Sequence, residues 1–119
     1  MRTSDKNLDT YDVTLFERET PNFWMVTASF DASDRLSICS GGIDDEWYII
    51  VEKGQLGALK RVLDKAAKPR AKTGDENADI LKNLKTLFGD QGSNPFEQIK
   101  IFLDNRGINW KPDHWASMD

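Results

Sequence analysis

The 119 residues hold a single cysteine and a single histidine. A zinc site draws on several thiolate or imidazole groups, and neither C-x-x-C nor H-E-x-x-H spacing occurs, so zinc and haem attachment drop out. Cys39 alone cannot close an internal disulfide, which fits a reducing cytoplasm. No apolar run approaches the ~20 residues that span a bilayer. The first twelve residues, MRTSDKNLDTYD, hold no apolar segment of the kind a secretion signal carries. The expected location is therefore the cytoplasm, with no membrane partner. The glycines at 41, 42, 89 and 92 form neither G-x-G-x-x-G nor a P-loop, so no nucleotide or other cofactor is implied.

What is present is globular: 39% apolar and 30% charged residues. The length fits a single domain over 1–119, with residues 1–10 expected to fray. The net charge of −4 is unevenly spread. Residues 1–53 carry eleven acids against five bases; residues 54–119 carry nine acids against eleven bases. The contrast is sharpest between 31–52, with six acids and one base, and 60–72, with six bases and one acid. Phosphate contacts need lysine and arginine, so the acidic half points away from direct nucleic-acid binding and towards a basic protein partner.

The chain is organised around residues 46–51, EWYIIV. Both faces of this strand are apolar, which predicts a central place in a sheet with cover on each side. Before it, YDVTLFER sets Tyr11, Val13 and Leu15 on one face, and FWMVTASF sets Trp24, Val26, Ala28 and Phe30 on one face. RLSICS alternates Leu36 and Ile38 against Ser37 and Cys39, and Gly41-Gly42 ends it. Short polar turns between these runs predict an antiparallel meander.

After Lys53-Gly54 the period changes. Leu56, Leu59, Val62, Leu63 and Ala66 predict a helix over about 55–67. Ile80, Leu81, Leu84, Leu87 and Phe88 predict a second, with a capping box of Thr73 and Glu76. Phe96, Ile99, Phe102 and Leu103 predict a third. Asn94 is its expected N-cap, Pro95 its first residue and Gly107 its C-cap. Ile108, Asn109 and Trp110 suggest a short edge strand, and Pro112 argues against a longer one. Strands followed by helices give an α+β fold: a sheet of four to five strands, helices gathered on one side.

Three functional readings compete. A small enzyme could use Asp31, Asp44 or Glu46 as acid, base or magnesium ligand, but no basic or hydroxyl partner accompanies them. A nucleic-acid module could use the basic run from Lys60 to Lys72, which reads more simply as a solvated helix face and loop. A protein-binding surface could use Asp44, Asp45 and Glu46 with Trp47 and Tyr48, where charge steers and aromatic rings anchor. Cys39, mid-strand among small and apolar neighbours, reads as an inert thiol, and His114 as an exposed polar residue in the tail. Trp110 and Trp115 are expected to fold back over the sheet or helices.

Several stretches together resemble small bacterial immunity proteins, those encoded beside polymorphic or contact-dependent growth-inhibition toxins. They are SFDASDRLSI, Gly41-Gly42, DEWYIIV, LFGD, and FEQIKIFLDNRGINW running into a tryptophan. The resemblance spans residues 23–115. It implies a non-catalytic protein that binds a cognate toxin C-terminal domain in the cytosol and covers its active site or substrate surface; apart from that partner the chain is expected to be a monomer. Many such toxins are nucleases with basic clefts, which the acidic half would suit. The candidate toxin-binding residues are Asp31, Asp34, Asp44, Asp45, Glu46, Trp47 and Tyr48.

Overall fold

The computed structural model describes residues 12–69 and 71–116. Tyr11 and the expected frayed segment lie outside that range. Four strands come first: β1 (Asp12–Arg18), β2 (Trp24–Phe30), β3 (Leu36–Gly41) and β4 (Asp45–Val51). Three helices follow, α1 (Leu56–Ala67), α2 (Glu76–Phe88) and α3 (Phe96–Asn105), and then β5 (Lys111–Ala116). The strands form one antiparallel sheet in the order β1-β2-β3-β4-β5. The fold is α+β.

Alternation along the strands decides which face is buried. Val26, Ala28, Leu36, Ile38, Ile49 and Val51 have no exposed surface and meet Leu59, Leu63, Ile80, Leu84, Ile99 and Leu103 from the helices. Each fully buried aliphatic side chain contributes about 2 kcal/mol. β1 reaches this core through a bulge: register shifts between Thr14 and Phe16, so Val13, Leu15 and Phe16 all pack towards it. The bulge is clamped from α2 and the turn after it: the Lys85 ammonium donates to the Thr14 carbonyl at 2.7 Å and the Asp90 N–H to the Leu15 carbonyl at 3.1 Å.

Three expectations need correction. β4 is covered on one side only. Its Tyr48 and Ile50 point to the open face, where Thr27, Ser37 and Cys39 stand beside them, and all are half-buried. The neighbouring strands put small and polar residues on that side, which tolerates water, whatever β4's own apolar run suggests. The last strand is not 108–110 but the six-residue β5, with Pro112 opposite Ile49. A proline lacks only the N–H that an outermost strand does not need. The cap of α2 is Asp75, whose carboxylate accepts the N–H groups of Asn77 and Ala78, while the Thr73 hydroxyl donates to Asp79 at 2.9 Å.

The ends of α3 follow their sequence signals closely. The Asn94 side-chain carbonyl accepts the Phe96 N–H at 2.9 Å, although the helix begins one residue later than Pro95. At the other end Gly107 sits at φ +72°. Ile108 N–H donates to the Leu103 carbonyl and Gly107 N–H to that of Asp104, a Schellman closure that buries Ile108 beside Leu103. That turn aims the chain back at β4 and so creates β5.

Candidate functional site

The antiparallel register separates the sheet into two ends. At one, Phe30 pairs with Leu36 and Leu36 with Val51. At the other, Gly41 pairs with Glu46, and Glu46 with Trp115. Asp45 and Val51 are a strand length apart, about 20 Å at the usual rise per residue.

This division splits the seven candidate residues. Asp31 and Asp34 belong to the first end and serve the β2–β3 turn. The Asp31 carboxylate accepts the N–H groups of Ser33 and Arg35 and pairs with the Arg35 guanidinium at 2.9 Å. Burial pushes this carboxyl up, but the backbone and arginine hydrogen bonds outweigh it and hold it below the usual range. Asp34 adopts φ 61° and pairs with Lys53 at 3.6 Å.

Asp44, Asp45, Glu46, Trp47 and Tyr48 stay together at the other end, distributed over both faces by alternation. Trp47 points to the helix side, beyond the helices' cover. Its ring stacks on His114 of β5, with centroids 3.6 Å apart and planes inclined by 13°. His114 Nε2 lies 3.1 Å from Asp45 Oδ1, so Asp45, Trp47 and His114 form one unit across two strands. His114 is thus not a loose tail residue; it joins the site, because β5 exists to carry it there.

On the open face the Tyr48 hydroxyl donates to Glu46 Oε1. That hydrogen bond, with burial, pushes the Tyr48 phenol far above its ordinary range. Cys39, cross-strand from Tyr48, has its thiol pushed up by burial and by the Glu46 charge, which opposes nucleophilic use.

Residues that the sequence reading passed over complete this end. Among the described residues five large hydrophobic side chains are exposed. Four gather here: Ile43 (79% exposed), Trp115 (51%), Trp47 (47%) and Phe23 (37%). Phe23, Ile43, Asp44 and Asp45 line one shallow depression, and Trp115 stands opposite Glu46 on the open face. Gly42 is required beneath them. A Cβ there would come within 2.8 Å of the Phe23 carbonyl and 2.9 Å of the Trp24 ring. Ile43 carried one legible signal, an apolar residue set between a glycine pair and two acids. Phe23 and Trp115 carried none.

A second cavity, of about 480 Å³, lies on the helix side of Trp47. The sheet contributes Trp24, Ser40 and Trp47 to it, and Asn94 and Phe96 contribute from the start of α3, with Glu97 and Lys100 alongside.

Trp110 does fold back, its indole N–H donating to Asp104 at 2.8 Å, whereas Trp115 stays exposed on β5. In the basic stretch, Lys60 and Lys72 both pair with Asp64, at 2.8 and 3.4 Å. Among the described residues no group of three or more His, Cys, Asp or Glu could hold a metal ion, and no helix is long and apolar enough to cross a membrane. No protein-family model matches this chain, and neither a curated protein nor a solved structure matches it.

Proposed function

We propose that this chain is an immunity protein. It binds a cognate toxin domain, one with a basic cleft such as a nuclease, and neutralises it by covering the active site or substrate surface without any turnover of its own. The observation that carries this reading is the convergence of Phe23, Ile43, Trp47 and Trp115 with Asp44, Asp45 and Glu46 at one sheet end. Exposed aromatic and aliphatic side chains beside three consecutive acids, with Arg18 also lining the depression, suit a steered, anchored protein contact. Asp31 and Asp34, tied into their own turn at the far end, are left out of the contact.

The test is reconstitution. The toxin domain encoded beside this gene is copurified with the chain and assayed for nucleic-acid cleavage with and without it. A stable complex with loss of cleavage is expected. Absence of a complex, or a complex in which cleavage continues, would defeat the reading.

A further inference from the structure

Ser40 is a buried hydroxyl with an unmet need. It is 3% exposed, on the helix-facing side of β3, in the wall of the cavity beside Trp47. Its oxygen accepts twice: from the Trp24 indole N–H at 2.8 Å, and from the Asn94 side-chain amide at 3.4 Å. The amide cannot be turned round to offer its carbonyl instead, because that carbonyl already takes the Phe96 N–H at 2.9 Å and caps α3. Two donors therefore converge on the Ser40 oxygen, and its own O–H donates to no described acceptor. A buried donor left without an acceptor costs about 1–3 kcal/mol, so whatever enters the cavity gains by supplying one.

The walls narrow the choice of guest. Trp24, Trp47 and Phe96 present three aromatic rings, one of which, Trp47, belongs equally to the acidic sheet end. A cationic side chain has no lone pair for the Ser40 hydrogen. A carboxylate would meet the Glu97 charge and find no free cation, because Lys100, the one cation in the wall, is already paired with Glu97 at 3.0 Å. A hydrocarbon ring would fill the space and leave the hydroxyl unpaired. The phenol of tyrosine meets all the requirements: a flat apolar body for the rings, and a neutral oxygen that can accept from Ser40.

We propose that this cavity is the socket for a tyrosine side chain of the partner, gripped between the indoles and hydrogen-bonded by Ser40. The proposal rests on the protein-binding reading above and adds the chemistry of the anchor. An anchored ring beside Trp47 would fix the partner's register, which charge alone does not do.

The test needs no partner. p-Cresol and toluene, which differ by the one hydroxyl, are titrated into the full chain and followed through the indole N–H resonances in NMR. p-Cresol is expected to bind on the order of tenfold tighter than toluene, because a site that keeps a buried donor rejects the analogue lacking its acceptor. The Trp24 and Trp47 signals should move while that of Trp115 stays. Ser40→Ala is expected to erase the preference. Should that variant fail to fold, Ser40→Thr, which keeps the hydroxyl, must retain it. Equal binding of the two probes, binding of neither, or shifts confined to Trp115 would overturn the socket. Those results would leave the copurification experiment untouched, so the two readings fail separately.

Discussion

Tyr48 and Glu46 lie side by side on the open face of the sheet, and their hydrogen bond has a measurable signature. The Glu46 carboxylate, and burial after it, raise the Tyr48 phenol above its ordinary value of about 10. A group that binds its proton more tightly when folded stabilises the fold at pH values below its unfolded pKa. That contribution is lost as pH rises through the folded value. In an ultraviolet titration of the phenolates, Tyr48 should ionise later than a free tyrosine, and Glu46→Gln should bring it down. A Tyr48 that ionises at the same pH in both proteins would refute the pairing. The neighbouring residues differ in how readable they were. The adjacency of Asp44, Asp45 and Glu46 to two aromatics was plain in the sequence. Which of Trp47 and Tyr48 would be left uncovered was not, because that depends on where α3 begins.

Individual elements are held by contacts that mutation can address one at a time. α1 and α2 are joined through Asp64, whose carboxylate takes the Lys60 ammonium at 2.8 Å and the amide of buried Asn83 at 2.8 Å. The Lys60 hydrogen bond leads in holding this carboxyl below its usual range, against the opposing effect of burial. Its share of stability is therefore present above the ordinary Asp pKa and vanishes as pH falls through the folded value. Asp64→Ala should cost about 1–3 kcal/mol in urea unfolding, since it strands the Asn83 amide. It should also flatten the acid limb of the stability profile; an unchanged acid limb would remove Asp64 from the account. The helix ends give a paired test. Gly107, at φ +72°, closes α3, whereas Lys68, at φ 51°, ends α1 in the same left-handed region with a side chain attached. Gly107→Ala should destabilise by about 1 kcal/mol and Lys68→Gly should stabilise by a little less. Thermal midpoints moving the same way for both would contradict this.

At the scale of the whole molecule, four of the five exposed large hydrophobic side chains among the described residues gather at one sheet end beside Asp44, Asp45 and Glu46, while both sheet edges carry groups that oppose further strands. β1 has Lys85 and Asp90 on its carbonyls. β5 has Pro112, and its His114 N–H is taken by the Asp113 carboxylate at 2.9 Å. Such edges resist strand addition. If the acidic end steers a basic partner, replacing Asp44, Asp45 and Glu46 with lysine should lower the association rate about tenfold or more at low salt and blunt its salt dependence. The measurement is stopped-flow or surface binding across a salt series. Association unchanged by the triple reversal would shift the contact to the stretch between Lys60 and Lys72.

Hydrophobic period and local turn chemistry settled much of this protein: the first four strands, three helices, the α+β class and, to within a residue, the ends of α3. These are near-neighbour effects, and a linear pattern records them. It could not record what lies across a strand. Pro112 spoke against a strand until the register placed it on the outermost one. His114 and Trp115 looked like tail residues until β5 laid them against Trp47 and Glu46. Asp31 and Asp34 counted with the other acids until the meander carried them a strand length away. The site is made by pairing between residues some seventy positions apart, and pairing of that reach is fixed by the turn after α3 and the packing beneath the sheet.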